Sequence, residues 1–217
     1  MNTDERFIIT ISREVGSGGH TVGRKLAEAL DVRYCDKELI KQLMKEFNLT
    51  ASGIEQLKGK KKNWFADFIQ FVAPMPKVSM LVDTDSRYIQ EFRPDITTDD
   101  IYKAETEILK GIADEGSCVI AGRSGFFVLK DHPNKLSIFI TAPMEHRIER
   151  VMRKQQLTRE QAETVIKSVD EARDNYVQRY TGTSRNDARN YDLVLNMDRL
   201  SEDDAVQLIL SYIRYTR

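Results

Sequence analysis

The stretch Phe7-Ile-Ile-Thr-Ile-Ser-Arg-Glu-Val-Gly-Ser-Gly-Gly-His-Thr-Val-Gly-Arg-Lys-Leu-Ala27 places a strand, a glycine loop and a helix in succession. Residues 7–12 are apolar and mostly β-branched, which is typical of a strand that is buried on both faces. From Val22 onward, apolar residues recur at three and four positions, which predicts a helix. The intervening loop, Gly16-Ser-Gly-Gly19, has almost no side chains.

This loop has the composition of an anion-binding nest. Backbone N–H groups point into such a loop, and the helix N terminus that follows adds about half a positive charge. A nucleotide phosphate is the expected anion, and the alternative is a plain tight turn. The strand before the loop and the helix after it favour phosphate. The residues expected to hold the nucleotide are Arg13, Gly16, Ser17, Gly18, Gly19, His20 and Thr21.

The loop lacks two parts of the usual phosphate-binding signature, G-x-x-x-x-G-K-S/T. In that signature the lysine reaches the β- and γ-phosphates and the hydroxyl holds Mg²⁺. If Gly18 is the second glycine, Gly19 takes the place of the lysine and His20 that of the hydroxyl, while Thr21 lies one position late.

A second register, Gly18 to Gly23 followed by Arg24-Lys25, restores a cation but places it one turn into the helix. We prefer the first register, because it keeps the loop directly after the strand. The missing positive charge must then come from Arg13, from His20 or from arginines of a mobile lid.

Composition limits the possible functions. The chain has 217 residues, which is enough for one α/β domain with an insertion. Its 33 basic and 34 acidic residues are balanced, so we expect no nucleic-acid partner and no attraction to anionic lipid. No apolar run approaches the roughly 20 residues of a membrane span, and no signal peptide is evident, which predicts a cytoplasmic protein. Cys35 and Cys118 are expected to be core thiols, and no metal site is predicted.

Predicted strands and helices alternate over most of the chain. Further strands are expected at 32–35, 118–121, 136–141 and 191–196, and helices at about 37–47, 99–115, 144–154, 158–181 and 202–212. This alternation indicates right-handed crossovers and a parallel sheet covered on both faces. Ligands of such sheets bind beyond the carboxyl ends of the strands, where loops begin at Ser12, Asp36, Gly122 and Thr141.

Two of these loops carry charged candidates. Asp36 lies at a strand-to-helix corner, where its carboxylate either caps the helix or faces the ligand, and both interpretations stay open. Arg123 lies in the loop Gly122-Arg-Ser-Gly125, where its guanidinium can bind a phosphate through two parallel hydrogen bonds. The alternative for Arg123 is a salt bridge that holds the loop, but its position beside the glycine loop favours phosphate.

Residues 50–97 interrupt the alternation. A basic run at 58–62 is followed by an aromatic cluster, and Pro74 and Pro76 then break the pattern. We interpret this segment as a helical insertion that forms either the lobe for a second substrate or a dimer contact. A homodimer through residues 62–76 is therefore one prediction.

The predicted helix from Thr158 to Thr181 opens with a capping box, Thr158-Arg-Glu-Gln161. Its second half carries Arg173 and Arg179. An arginine-bearing helical segment at this place, about residues 156–186, is suited to a lid that closes over phosphates and offsets charge in the transition state. The alternative is a solvated helix pair with ion pairs four residues apart.

Together these segments resemble the cytidylate kinase-like family, a branch of the P-loop nucleoside monophosphate kinases. The motifs that carry the resemblance are, in order, I-T-I-S-R-E-V-G-S-G-G-H, Y-C-D-K-E-L-I, V-I-A-G-R-S-G, I-F-I-T-A-P-M-E-H-R-I-E-R-V, V-D-E-A-R-D-N-Y-V-Q-R-Y-T-G and N-Y-D-L-V-L-N. The resemblance implies a three-layer α/β P-loop kinase fold. Its five-stranded parallel sheet would have the order 2-3-1-4-5, in a single domain spanning residues 1–217.

The resemblance also implies an enzyme that uses ATP with Mg²⁺ and a nucleoside monophosphate, nominally CMP, or a similar small acceptor. The implied catalytic residues are Arg123, Arg173 and Arg179, and the implied substrate contacts are Asp36, Arg123 and Asp192. The chain departs from authenticated cytidylate kinases at Gly19 and at Ser124, where those enzymes have a lysine and an aspartate. The alternative function is a non-catalytic nucleotide-binding regulator that uses lid closure as a switch.

Overall fold

A computed structural model describes residues 1–36 and 98–216 of the protein. The β-strands in these ranges are β1 Ile8–Arg13, β2 Arg33–Cys35, β3 Cys118–Ala121, β4 Lys135–Thr141 and β5 Leu193–Asn196. The α-helices are α1 Gly19–Ala29, α2 Thr98–Glu115, α3 Gly125–Val128, α4 Met144–Gln155, α5 Arg159–Thr181 and α6 Glu202–Tyr215. The predicted helix at 37–47, the insertion at 50–97 and the proposed dimer segment at 62–76 lie outside the described residues.

The chain divides into two compact units, residues 1–37 with 116–217 and residues 38–115. In the second unit, α2 carries a buried apolar face, as its spacing predicts: Ile101, Ala104, Ile108, Leu109 and Ile112. A single domain with an insertion at about 50–97 and a lid at about 156–186 stays a prediction. Within residues 1–36 and 98–216, no helix is both long enough and apolar enough to span a bilayer.

The sheet of the first unit is parallel throughout and has the order β2-β3-β1-β4-β5. The α/β class and the strand order implied by the resemblance are therefore confirmed. β1 is central, with Ile8 opposite Cys118 of β3 and Lys135 of β4. Because the strands are parallel, the loops that follow β1, β2, β3 and β4 all begin at the same edge of the sheet.

Burial explains why β1 takes the central position. Every residue from Ile8 to Ser12 is buried, so this run avoids water on both faces. The residues Phe7, Ile9 and Ile11 belong to the main core, which α1 and α6 complete with Val22, Leu26, Ala205, Val206, Ile209 and Ile213. On the other face, the hydroxyl of Thr10 contacts Ser137 of β4 at 3.1 Å.

A second, smaller core joins α4 to α5. Its buried members are Val15, Ile148, Val151, Ala162, Ile166 and Val169. The Thr158 hydroxyl oxygen accepts from the Gln161 N–H, and Gln161 Oε1 accepts from the Thr158 N–H. The predicted capping box of α5 is therefore confirmed. Since Val15 lies in the loop after β1, this core fixes that loop to α4 and α5.

The start of α1 differs from its prediction. The helix begins at Gly19 rather than at about Val22, because its first residues are small or polar and carry no apolar periodicity. Gly19 is thus the first residue of a helix and not the last residue of a loop.

Candidate functional site

The loop between β1 and α1 has the backbone of an anion-binding nest. Gly16 and Gly18 both have left-handed backbones, with φ of 81° and 87°, and they flank Ser17. Ser17 is buried, and its N–H and its hydroxyl both donate to the carbonyl oxygen of Glu14, at 3.3 and 2.9 Å. These bonds close the loop, and alternation of left-handed residues along a turn is typical of anion sites.

The N terminus of α1 opens this loop toward a ligand. The first intrahelical bond runs from the Val22 N–H to the Gly18 carbonyl, at 3.1 Å. The N–H groups of the first three helical residues precede that bond, and no side chain caps the helix at Gly18. Such N–H groups, together with the helix dipole, favour a bound anion.

Gly16 packs directly on the backbone of α4. A Cβ atom at Gly16 would lie 2.6 Å from the carbonyl oxygen of Arg147 and 2.9 Å from its Cα. No residue with a side chain fits this contact without moving the loop. Position 16 therefore needs glycine for two reasons: its left-handed backbone and its close contact with the backbone of Arg147.

We expect Gly16→Ala to lower the free energy of unfolding by more than Gly182→Ala does. Gly182 is the matched control, because its φ is 68° but no heavy atom lies within 4 Å of its added Cβ. Gly182→Ala should cost only the left-handed strain, about 1–2 kcal/mol. Urea unfolding of both variants measures the difference, and equal losses would contradict the close approach at Gly16.

A buried charged network holds Val15, the residue before Gly16. The Val15 N–H donates to Asp170 Oδ1 at 3.1 Å, and the Val15 carbonyl accepts from Arg147 Nε at 2.7 Å. Arg147, only 5% exposed, also forms ion pairs with Asp170 and with Glu14, where Nη1 and Oε1 are 3.1 Å apart. Glu14 in turn accepts a short hydrogen bond from the Thr141 hydroxyl. Side chains of α4 and α5 thus fix the peptide groups that lead into the glycine loop.

Two further arginines contact the end of β1. The carbonyl oxygen of Arg13 accepts from Arg173 Nη1 at 3.2 Å and from Arg185 Nη1 at 3.0 Å. Arg185 is buried and pairs with Asp174, with Nε and Oδ1 2.7 Å apart. Burial raises the pKa of Asp170, against the opposing effect of Arg185 and other neighbours.

Arg173 belongs to a buried cluster of opposite charges at the end of β1. Burial lowers the pKa of Arg173 well below the ordinary arginine value, and the nearby charges of Arg13 and Arg185 lower it further, whereas Asp174 raises it. Arg173 Nη1 also lies 3.5 Å from Asp170 Oδ1. Carboxylates therefore balance part of the positive charge beside the glycine loop.

Arg150 of α4 lies on the other side of the glycine loop. Its Nη1 pairs with Glu202 Oε1 at 2.6 Å, and its Nη2 lies 3.2 Å from the Thr21 hydroxyl oxygen. A Cβ at Gly18 would lie 3.5 Å from the Arg150 Cζ. In contrast, Lys25, which follows Arg24 in the second register, pairs with Asp203 of α6 at 2.7 Å.

The loop after β3 carries the second group of predicted residues. Arg123 has a φ of 55°, and its guanidinium lies 5.0 Å from the ring centre of Tyr176 in α5. Ser124 also has a positive φ and is buried, and its hydroxyl has no hydrogen-bond partner among the described residues. An unsatisfied buried hydroxyl beside the sheet edge is suited to contact a ligand or a water molecule.

His20 and Asp36 come together although 16 positions separate them. The distance between His20 Nε2 and Asp36 Oδ2 is 3.2 Å, and the Tyr34 ring lies edge-on to the imidazole with centres 5.5 Å apart. Asp36 therefore faces the first turn of α1, on the side of the loop toward β2.

Two predicted residues are not brought to the loop by any described contact. Arg179 is exposed and lies 5.3 Å from the ring centre of Tyr180. Asp192 precedes β5 and accepts from the Ser137 N–H at 2.7 Å, so it lies at the amino end of its strand, away from the edge that carries the glycine loop. The functional roles of Arg179 and Asp192 stay predictions.

Sequence reasoning assigned no role to several residues that build the site: Glu14, Arg147, Arg150, Asp170, Asp174 and Arg185. Arg147 and Arg150 had a local signal, since they lie three residues apart directly after β4. The others had none, because their partners lie far along the chain.

Comparison with known proteins agrees with this geometry. The profile of the cytidylate kinase-like family matches residues 8–199. The cytidylate kinase of Pyrococcus horikoshii is 24% identical over 211 residues, covering 96% of this chain and 89% of the relative. The cytidylate kinase of Pyrococcus furiosus is 26% identical over 209 residues, covering 95% and 88%.

Solved structures confirm the fold. An uncharacterized protein from Eubacterium ventriosum superposes with a TM-score of 0.69 at 25% identity, covering 96% of this chain and 99% of its own. The shikimate kinase of Acinetobacter baumannii, solved with shikimate, gives a TM-score of 0.52 at 16% identity, covering 100% and 99%. The profile match spans most of the chain and confirms the resemblance that its motifs predict: the protein belongs to the cytidylate kinase-like family.

Proposed function

We propose that the protein transfers the γ-phosphoryl group of ATP to a nucleoside monophosphate, nominally CMP. The main support for this proposal is the arrangement of arginines around the glycine loop. The glycine loop at the N terminus of α1 lies among arginines from separate segments, with Arg147 and Arg150 on α4, Arg173 on α5 and Arg185 beyond it. The N–H groups of Gly16, of Gly18 and of the first turn of α1, with guanidinium groups nearby, are suited to a polyphosphate.

The residues present fit a nucleotide that carries its own Mg²⁺. Among residues 1–36 and 98–216, no three carboxylate, histidine or cysteine side chains are placed to hold a metal ion. Mg²⁺ commonly keeps several waters and is held by substrate phosphates with one or two carboxylates. When bound with the nucleotide, it would offset the negative charge of the phosphates.

The roles of the side chains follow from their positions. The backbone N–H groups of residues 16 and 18–21 would hold the phosphates and fix their orientation, while that of Ser17 donates to Glu14. Arg123 and Arg173 would offset the charge that develops on the transferred group, since they lie at the carboxyl ends of β3 and β1. A phosphate acceptor is already nucleophilic, so positioning supplies most of the catalysis and no general base is required.

The acceptor is inferred from the family. Curated relatives that cover most of the chain are named cytidylate kinase, which supports CMP as the acceptor. Asp36, which the family resemblance assigns to the acceptor, pairs with His20 beside the loop toward β2.

A coupled assay of ADP release tests the proposal with ATP, Mg²⁺ and a panel of CMP, dCMP, UMP, AMP and GMP, with shikimate as a hydroxyl acceptor. We expect turnover with a nucleoside monophosphate and the highest kcat/KM with CMP. Saturable ATP binding without turnover for any acceptor would instead support the alternative function, a non-catalytic nucleotide-binding regulator. Turnover with shikimate alone would contradict the nucleotide acceptor.

A further inference from the structure

The backbone conformation at position 19 does not require a glycine. Gly19 is outside the left-handed region, unlike Gly16 and Gly18, so a residue with a side chain can adopt its conformation. What excludes a side chain is Arg13. A Cβ at Gly19 would lie 2.6 Å from the Arg13 Cβ and 3.1 Å from its Cγ, so the stem of Arg13 fills the space where a side chain at position 19 would begin.

The guanidinium of Arg13 occupies a second space that a glycine leaves open. A Cβ at Gly122 would lie 2.2 Å from the Arg13 Nη1 and 3.3 Å from its Cζ. Arg13 therefore extends from the end of β1, past the first residue of α1, to the loop after β3. Its main chain is fixed as well, because Arg173 and Arg185 both donate to its carbonyl oxygen.

These contacts indicate that a cation at position 13 takes the place of the usual lysine at position 19. In the usual loop, the side chain of the lysine at position 19 would reach the β- and γ-phosphates. We propose that Arg13 supplies this phosphate-binding cation, entering from the end of β1 because Gly19 and Gly122 leave room for it. The inference rests on the proposed function and deepens it, since it names the group that replaces the missing lysine.

The chemistry of arginine suits this role. Its guanidinium stays protonated and can give two parallel hydrogen bonds to a phosphate, whereas a lysine acts as a compact point charge. Arg173 supports the placement of this residue, because it donates to the main chain of Arg13.

The exchange predicts that positions 13 and 19 are strongly coupled. The test compares the full-length wild type with Arg13→Gly, Gly19→Lys and the double variant, using calorimetric titration with ATP and Mg²⁺ and ADP release with CMP. Arg13→Gly removes the cation and should lower kcat by about 10²- to 10³-fold. Gly19→Lys alone should also lower it, because its side chain meets the Arg13 stem.

The double variant should recover at least tenfold over either single variant, since it removes the clash and returns a cation. Arg13→Gln serves as a second variant that keeps the stem and the strand backbone and should lose activity as Arg13→Gly does. Lys25→Gln is the matched control: its charge faces Asp203, and ATP affinity should not change. Thermal unfolding of each variant verifies the fold.

Two results would overturn the inference while leaving the proposed function intact. One is wild-type ATP affinity and turnover in both Arg13→Gly and Arg13→Gln. The other is a double variant that is folded and yet no more active than Arg13→Gly. A wild-type protein that binds no ATP would overturn the proposed function, and this inference with it.

Discussion

Replacing Arg147 with methionine should lower the free energy of unfolding by about 3–5 kcal/mol, the range found when one partner of a buried ion pair is removed. The guanidinium of Arg147 is buried between Glu14 and Asp170 and also donates to the Val15 carbonyl. Methionine fills a similar volume but leaves two carboxylates without this partner. Urea unfolding followed by circular dichroism, with the midpoint and slope both fitted, measures the change.

Arg159→Met is the matched control for Arg147→Met. Arg159 forms a two-pronged pair with Glu145, with both distances 2.6 Å, but both side chains are more than half exposed. Exposed pairs contribute little because water and salt screen them. We therefore expect almost no change in stability for Arg159→Met. Equal losses at the two positions would contradict a buried network that supports the glycine loop.

The second large effect is expected at Arg173. On the proposed function, Arg173→Gln should lower kcat for phosphoryl transfer by about 10²- to 10³-fold, as removal of one well-placed transition-state donor does. Arg173 contacts the end of β1 through the Arg13 carbonyl, and burial and the charges of Arg13 and Arg185 lower its pKa. The contact places the Arg173 guanidinium at the end of β1, directly before the glycine loop. Steady-state kinetics with ATP and CMP measure the loss.

Arg179→Gln provides the comparison on the same helix. Arg179 is exposed and lies over Tyr180, so we expect a much smaller loss of kcat than at Arg173. A larger loss at Arg179 would indicate that α5 moves when nucleotide binds, which is the lid behaviour that the sequence predicts. Unchanged kcat in Arg173→Gln, with the fold intact, would contradict the role of Arg173.

The sequence predicted the fold well because the fold depends on local patterns. The buried strand at residues 8–12 and the apolar face of α2 both follow from spacing within a few residues. The capping box at Thr158 was predicted for the same reason and is present. The start of α1 was placed too late, since Gly19 and the polar residues after it carry no apolar signal.

The long-range hydrogen bonds that hold the residues before the glycine loop could not be predicted from local patterns. Asp170 accepts from the Val15 N–H across 155 positions, and Arg185 donates to the Arg13 carbonyl across 172. These contacts depend on how α4 and α5 pack against the loop, which no short pattern records. A buried arginine also has the same sequence signature as an exposed one, so the position of Arg147 after β4 did not indicate that it would be buried between two carboxylates.

Only part of the chemistry of the glycine loop could be predicted from the sequence. The sequence indicated that a lysine is missing at Gly19 and named Arg13 among the groups that could replace it. It could not indicate that the two positions exclude one another, because that follows from a 2.6 Å separation between a Cβ at Gly19 and the Arg13 Cβ. The role of Asp192 near the nucleotide stays a prediction, and in the structure this residue accepts from the Ser137 N–H just before β5.

Amide hydrogen exchange, read by mass spectrometry with and without saturating ATP and Mg²⁺, tests the central claim most directly. The claim is that the backbone N–H groups between Val15 and Thr21 bind the phosphates. We expect exchange in peptides covering residues 13–21 to slow markedly on ATP addition. ATP binding with unchanged exchange in these peptides would show that the nucleotide binds elsewhere and would contradict the claim.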